Sequence, residues 1–327
     1  MKTLPLLKTL LLALLLAALP AQAQKIRVGY WTSGFSLGFG AVMEQMKFAE
    51  KEGLDVEWIK FAEVNGPTRA IASQSIDLAF GAPSTASMSI AADGVPVRIV
   101  LASQIAEAQI VVPAGSPIKS VADLKGKKIG MSPPGSATHA IASAILQGIY
   151  GLKPGEYNVV PGNEGRLAQF LIQKEVDAAV IRSVTIGQMS DDIKLVNLGS
   201  IVEDWKKLTK GSAAPILAVS IVHSDYVAKN PEAVAKFIAA MRKTDEFGSK
   251  NRDRVAEILQ KAANMNPVDA RAYAAQWDGA YMVSFEAADV NSLKRMQEIV
   301  RAAGAAKADP PDSAFLTAPF QRSKAIK

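Results

Sequence analysis

A junction between a strand and a helix carries residues that could bind an anion. The stretch MSPPGSATHA, residues 131–140, follows the apolar segment Lys128–Met131, which predicts a strand. An alanine-rich segment, 140–150, comes next and predicts a helix. Ser136 and Thr138 open that helix, so their hydroxyls lie beside backbone N–H groups without helical acceptors, and an oxyanion would satisfy these donors. The alternative is that Ser136 or Thr138 only caps the helix, which contributes about 1 kcal/mol.

Two other segments place similar chemistry directly after predicted strands. Ser84 and Thr85 follow the apolar segment 76–80 and a Gly-Ala-Pro turn, so a second helix start could hold the anion from the opposite side. Capping is again the alternative. Arg182 ends the predicted strand 177–181, and a guanidinium can grip an anion with two parallel hydrogen bonds. The alternative there is a surface arginine paired with Asp191 or Asp192.

Weaker candidates complete the set of binding residues. Trp31 and Phe35 lie in a segment rich in glycine and serine, and their rings could wall a cleft against a carbon chain. Either ring could instead belong to the core. Gln104 and Asn163 are polar residues that follow predicted strands. The residue types together indicate a site for a small organic anion.

The patterns typical of enzymes are missing from the sequence. The chain has no cysteine, which excludes disulfides, thiolate metal sites and thiol nucleophiles. It has two histidines, without a Ser/His/Asp order, a paired-carboxylate signature or His-x-x-x-His spacing. We therefore expect neither catalysis nor a metal, and no cofactor.

The N-terminus predicts export. Residues 1–23 combine two lysines, a Leu/Ala run and the small-residue pattern Ala21-Gln22-Ala23, which together are typical of a signal peptide cleaved before Gln24. A retained membrane anchor is the alternative, but the apolar run is short for a bilayer span. Because no cysteine lies at the predicted cleavage site, we expect a periplasmic protein that is not a lipoprotein.

The charge balance excludes one class of partner. After removal of residues 1–23 the chain keeps 35 basic and 31 acidic side chains, a net charge of +4 that is spread thinly. Nucleic-acid binding calls for a basic stripe with interleaved aromatics, and aromatic residues make up only 6% of the chain. We expect no nucleic-acid partner.

The order of elements predicts an α/β protein. Strands and helices alternate with short connections, so we expect mainly parallel sheets covered on both faces, with ligands bound beyond the carboxyl ends of the strands. Segment 31–40 is expected to be a loop before a helix over 41–52. After a strand at 215–222 the chain is predicted to be nearly all helix, over 231–243, 253–263, 267–277 and 287–302.

Several segments, in this order, resemble one known family. They are IRVGYWTSG, EGLDVEWIKFAEVNGPTRAIASQSIDLAFGAPSTA, SPIKSVADLKGKKIG, VDAAVI and HSDYVAKNPEAVAKFI. The chain resembles the substrate-binding proteins of ABC importers for taurine, aliphatic sulfonates, nitrate and thiamin precursors. The resemblance implies the type II periplasmic-binding fold, in which two doubly wound α/β lobes are joined by two crossovers. Lobe 1 would comprise 24–107 and 215–327, and lobe 2 would comprise 108–214.

The resemblance also implies a function. Such a protein, a monomer, captures a small organic anion in the cleft between the lobes and delivers it to an ABC permease with a cytoplasmic ATPase. Taurine or another alkanesulfonate is the first expectation, since taurine-binding members similarly carry Ser/Thr-Thr-His at this helix start, where the chain has Ser136 and Thr138. Glu107 matches a family glutamate near the cleft that could receive an ammonium group, or it is simply solvated.

One position departs from the taurine pattern. Relatives commonly carry an aromatic residue where this chain has Arg182, which favours a ligand with more negative charge, such as a carboxylate-bearing sulfonate or a dicarboxylate. An aromatic acid, nitrate or a thiamin precursor also stays open as the ligand, and a ligand sensor would use the same cleft. A thiamin-precursor synthase is the remote alternative, but it needs a cysteine-rich element that this chain lacks.

Overall fold

The computed structural model describes residues 24–189 and 192–326. The predicted signal peptide, residues 1–23, lies outside the described residues, as does Asp191. The strands are β1 Gln24–Trp31, β2 Leu54–Phe61, β3 Leu78–Pro83, β4 Val97–Ile105, β5 Gln109–Pro113, β6 Lys128–Met131, β7 Asn158–Pro161, β8 Ala178–Ile181, β9 Leu195–Ser200, β10 Ile216–His223 and β11 Tyr281–Ser284.

The α-helices are α1 Gly34–Met46, α2 Phe48–Lys51, α3 Gly66–Ala72, α4 Ser84–Ala92, α5 Ala137–Tyr150, α6 Glu164–Ile172, α7 Ser183–Gln188, α8 Ile201–Thr209, α9 Ser224–Lys229, α10 Pro231–Lys250, α11 Arg252–Ala262, α12 Pro267–Ala275, α13 Trp277–Ala280, α14 Ala287–Ala302 and α15 Ala318–Ser323. Short 3-10 helices cover Val121–Leu124 and Asp312–Ala314.

The strands form two sheets, and most strands in each point the same way. The first sheet has the order β11-β4-β10-β3-β1-β2, with β10 and β11 reversed relative to the other four strands. The second has the order β7-β6-β8-β5-β9, with β5 reversed. The chain passes from the first sheet to the second at 106–108 and returns at 210–215. Of the nine strand pairs in the described ranges, four are parallel and five are antiparallel, so the sheets are mixed and the prediction of mainly parallel sheets is wrong. The reason is that the reversed β5 and β10, which each directly follow a passage between the sheets, pair with a neighbour on both sides.

The central strands are buried along their whole length. Every residue of β3, β8 and β10 is buried, as expected for strands covered by helices on both faces. Their sequences accordingly read as continuous runs of small and apolar residues, without the alternation of a sheet that has one face in water. Residues at or next to one end of each of these strands line the cavity that is described below.

The first helix begins earlier than the sequence predicts. Segment 31–40 was expected to be a loop because it is rich in glycine, yet α1 begins at Gly34. Gly38 and Gly40 lie inside this helix because a Cβ atom at either would overlap a tyrosine ring, that of Tyr273 or Tyr30. These two glycines therefore serve close packing, and Phe35 and Ser36 occupy the first helical turn.

The C-terminal half contains a strand that the sequence did not predict. β11 has only four residues, and it lies between helices and pairs antiparallel with β4 at the edge of the first sheet. Such a short strand shows too little alternation to be recognised. The predicted helix 231–243 extends to Lys250, whereas the helix 287–302 has the predicted bounds. Within the described ranges, no helix combines the length and the apolar character needed to cross a bilayer.

Gly248 in α10 offers a test of the packing around Trp277. A Cβ atom at position 248 would overlap the indole ring, whereas position 279 is exposed and has no atom within 4 Å of its ideal Cβ. We expect Gly248→Ala to lower the free energy of unfolding by about 1–3 kcal/mol. The control Gly279→Ala should leave it unchanged or raise it by up to about 1 kcal/mol, because alanine favours helix. Urea titrations of both variants measure the difference, and equal stabilities would contradict this account.

Candidate functional site

A small cavity lies where the two sheets face each other. Its volume is about 30 Å³, which is room for about two water molecules. The cavity lies beyond the carboxyl ends of β1, β3, β6 and β8, where ligands of open α/β sheets bind. The lining residues are Trp31, Ser36, Val64, Gly81, Pro83, Gln104, Ser132, Ser136, Ala137, Thr138, Arg182, Leu217 and Ala218.

Arg182 is the one charged side chain among these lining residues. The residue is only 5% exposed, and its guanidinium carbon lies 5.0 Å from the centroid of the Phe35 ring. This cation–π contact joins the end of β8 in the second sheet to α1 beside the first sheet. Its Nε is 3.6 Å from a carboxylate oxygen of Glu164, while its Nη1 is buried without a hydrogen-bond partner. The predicted alternative of a surface arginine is therefore wrong. A buried donor without a partner is costly, and an anion in the cavity would supply the acceptor.

The start of α5 supplies neutral donors to the same cavity. The Ser136 hydroxyl accepts a hydrogen bond from the His139 N–H at 3.3 Å, so the predicted cap exists, and its own hydrogen stays available. Ala137 and Thr138 line the cavity, and as the first two helical residues their N–H groups have no acceptor within the helix. In the described part of the chain no hydrogen bond involves the Thr138 hydroxyl. Four donors of α5 thus face a space in which an anion would be stable.

The first sheet contributes a second group of polar atoms. The Gln104 amide donates to the Ser36 hydroxyl at 3.0 Å, and both side chains line the cavity. Ser36 lies in the first turn of α1, so two helix starts, one beside each sheet, point at the same space. None of the described residues that line the cavity is acidic. The arrangement is suited to binding a negative group and carries no base or nucleophile paired for catalysis.

A larger groove adjoins the small cavity. It has a volume of about 390 Å³ and shares Trp31, Val64 and Ser132 with the cavity. Arg69, Asn65 and two glutamates give this outer groove a mixed polar lining. Its residues are Trp31, Ala62, Glu63, Val64, Asn65, Arg69, Ser132, Pro133, Gly162, Asn163 and Glu164. A ligand with its anionic end in the cavity has space for the rest of its length here.

Five of the ten predicted site residues line the small cavity. They are Trp31, Gln104, Ser136, Thr138 and Arg182. Asn163 lines the outer groove and caps α6, because its side chain accepts from the Arg166 N–H at 3.0 Å.

The other four predicted residues do not line the cavity, for separate reasons. Phe35 is 1% exposed and packs edge-on against Tyr273 and Tyr281, beneath Arg182. The Ser84 hydroxyl donates to the Ile216 carbonyl at 2.7 Å, and the buried Thr85 hydroxyl has no partner.

Glu107, the predicted ammonium receptor, is occupied at the start of α7. Its carboxylate accepts from the Ser183 N–H at 3.2 Å and from the Ser183 hydroxyl, so it joins the first passage between the sheets to a helix of the second.

Among the described residues there is also no group of three acidic or histidine side chains that could hold a metal ion.

The sequence reasoning missed several lining residues. Ser132 is the first residue after β6, so the rule that ligands lie beyond strand ends could have found it. The sequence does not indicate Ser36, because the glycines around it predict a loop where the structure has a helix. Leu217 and Ala218 lie within β10, where apolar residues carry no sign that they face a cavity.

A family model matches the chain over residues 42–254, and it is described as NMT1/THI5 like. A binding protein of Brucella abortus is 29% identical over 237 residues, which cover 72% of this chain and 70% of the relative. The taurine-binding periplasmic protein of Escherichia coli is 29% identical over 231 residues, covering 70% of this chain and 68% of the relative.

A solved structure agrees in fold. The alkanesulfonate-binding protein SsuA from Xanthomonas axonopodis pv. citri, bound to MOPS, superposes with a TM-score of 0.76 at 18% identity, covering 91% of this chain and 100% of that one. The predicted periplasmic-binding-protein fold is confirmed. Because the family model covers most of the sequence, the chain belongs to the NMT1/THI5-like family.

The stability of two variants at the start of α5 shows which hydroxyl caps the helix. Ser136→Ala removes the oxygen that accepts from His139, so we expect the free energy of unfolding without ligand to fall by about 1 kcal/mol. Thr138→Val keeps the side-chain shape and removes a hydroxyl without a described partner, so the unfolding free energy should change by less than about 0.5 kcal/mol. Thermal and urea unfolding of both variants tests this. A large loss in Thr138→Val would show that its hydroxyl has a structural role.

Proposed function

We propose that this member of the NMT1/THI5-like family is a periplasmic solute-binding protein that captures a small organic anion, taurine or another alkanesulfonate, and delivers it to an ABC permease. The observation that carries the proposal is the Arg182 guanidinium, buried in the cavity with one nitrogen unpaired. The names of two relatives, a taurine-binding and an alkanesulfonate-binding protein, support the ligand class.

A sulfonate matches the donors of the cavity. It is ionised at neutral pH and offers three acceptor oxygens without a hydrogen, while Arg182 Nη1, the Ser136 and Thr138 hydroxyls and the N–H groups of α5 all donate. The small volume of the cavity suits one such head group, and the outer groove then receives the carbon chain. Trp31 lines both spaces, so its ring lies beside the join between head group and chain.

Glu164 bears on the charge of the ligand. Arg182 departs from the aromatic residue expected at its position and by itself favours a ligand with more than one negative charge. However, the Glu164 carboxylate lies 3.6 Å from Nε and accepts from the Thr185 hydroxyl at 2.8 Å, so it is held beside the guanidinium. Glu164 thus offsets part of the guanidinium charge, and the part that remains matches a single anionic group, which a monoanion such as a sulfonate provides.

Binding is proposed to act through closure of two lobes. Lobe 1 comprises 24–107 and 215–327, lobe 2 comprises 108–214, and residues 1–23 direct export. Several contacts already join the lobes, among them Arg182 over Phe35, α7 against α12 and α5 against α14. Without a ligand this closed arrangement buries an unpaired donor, so an anion that pairs with Nη1 favours the closed form by its differential affinity. The closed form is the one that the permease would recognise.

A screen by thermal shift and calorimetry tests the ligand class. We expect taurine and short alkanesulfonates to raise the melting temperature of the protein lacking residues 1–23, since ligands that bind only the native state stabilise it. At concentrations of about 1,000 times Kd the stabilisation is about 4 kcal/mol. Benzoate, succinate, nitrate and a thiamin-precursor pyrimidine are screened as well, because they represent the alternative ligand classes. A shift with any of these, and none with sulfonates, would contradict the proposal.

Substitution of the arginine tests its role in binding. Arg182→Gln should weaken sulfonate binding at least tenfold, about 1.4 kcal/mol, because the charged donor to the head group is lost. Arg182→Lys keeps the charge but loses the second donor, so its Kd should lie between those of the wild type and Arg182→Gln. The control Arg301→Gln removes the same charge from an exposed pair with Asp309 and should leave Kd unchanged. Equal Kd values in calorimetry would exclude Arg182 from the site.

A further inference from the structure

We infer that Tyr273 and Tyr281 are positioning residues, which hold the first turn of α1 in the shape that presents Phe35 to Arg182 and Ser36 to the cavity. Neither tyrosine lines the cavity, and both come from the C-terminal segment, on α12 and β11. The inference rests on the proposed function for its effect on ligand affinity, whereas its effect on the backbone of α1 stands independently.

The Tyr273 hydroxyl is built into the start of α1. It lies 3.0 Å from the Gly34 carbonyl oxygen, to which it donates, and it accepts from the Gly38 N–H at 3.2 Å. A regular helix joins these two backbone groups directly, since N–H groups bond to carbonyls four residues earlier. The hydroxyl therefore bridges the first turn. Gly38 leaves the space for it, because a Cβ atom there would overlap the tyrosine ring.

Tyr281 holds the next residue of the same turn. Its hydroxyl donates to the Phe35 carbonyl at 2.6 Å, and its oxygen lies 2.7 Å from that of Tyr273. Burial raises the pKa of both hydroxyls, so both keep their hydrogens at neutral pH. Only two hydroxyl hydrogens are available for three short oxygen contacts, so the Tyr273 hydrogen is shared between the Gly34 carbonyl and the Tyr281 oxygen, and the pair forms one connected network.

The turn has little other support from its own chain, since the Leu37 N–H reaches the Ser33 carbonyl only at 3.4 Å. Ser33, the residue before the helix, makes no side-chain cap bond to it. Gly34 has φ +53, a left-handed conformation that glycine adopts readily. Because the usual hydroxyl cap is missing, the tyrosine network supplies the bonds that fix where the helix begins.

The network connects directly to the cavity residues. The Phe35 ring centroid lies 5.3 Å from that of Tyr273 and 5.7 Å from that of Tyr281. The same Phe35 ring is the one that Arg182 covers. Ser36 follows in sequence and accepts from Gln104, the residue opposite Tyr281 in the pairing of β4 with β11. A shift of the turn would move Phe35 and Ser36 together, so it would reach both the arginine and the neutral donors.

Tyr273→Phe and Tyr281→Phe test the inference with a matched control. The control is Tyr157→Phe, whose ring is 5% exposed and whose hydroxyl bonds to Ser143 at 3.4 Å, away from α1. In hydrogen–deuterium exchange of the ligand-free protein, we expect the amides of 34–38 to exchange at least tenfold faster in Tyr273→Phe. The Tyr157→Phe protein should exchange there at the wild-type rate. In calorimetry with taurine, Tyr273→Phe and Tyr281→Phe should each bind at least fivefold more weakly than the wild type, and the control should bind like the wild type.

Three results would overturn the inference. They are an unchanged exchange rate at 34–38, a uniform rise in exchange over the whole chain, and faster exchange at 34–38 with an unchanged Kd for taurine. The uniform rise would mean that the hydroxyls contribute only to overall stability. If the wild-type protein does not bind taurine, the taurine assignment fails. The exchange rates then decide by themselves whether the tyrosine pair orders the turn.

Discussion

The arrangement of the cleft depends on one interaction, the partial neutralisation of a buried guanidinium. Arg182 leaves the second sheet at the end of β8, crosses to the first turn of α1 and lies on the Phe35 ring. Glu164 compensates its charge on one side, and Nη1 has no partner. Removing a charge from water is costly, and a ring face and one carboxylate at 3.6 Å offset only part of that cost. An anion in the cavity would offset the remaining part of that cost.

The two sheets bring the other donors to the same point. Because most strands of each sheet run in one direction, their carboxyl ends collect at one edge, where helices begin with unpaired N–H groups. The single reversed strand inside each sheet carries the chain back from the cleft to the far edge. One helix start from each sheet, α1 and α5, then borders the cavity, and the Ser136 and Thr138 hydroxyls add to the backbone donors. The site is assembled by topology more than by any one motif.

The sequence predicts those parts of the site that follow from strand ends. Ser136, Thr138 and Arg182 were found because each follows a strand and carries a donor. The first turn of α1 was not found, because its glycines indicate a loop when read locally. Their role becomes visible only when Tyr273, distant in sequence, is seen to need the space at Gly38. Likewise, the short β11 is defined by its partner β4 rather than by its own pattern. Local propensity is overridden where a distant side chain sets the packing.

Glu164 has a consequence that reaches beyond its contact with Arg182. Its carboxylate touches the guanidinium and also belongs to the wall of the outer groove. A positive group at the far end of a ligand would attract the same carboxylate and so weaken its hold on Nε. The guanidinium would then interact more strongly with the negative end of that ligand. A zwitterion of the right length would in this way gain more than the sum of its two charged ends.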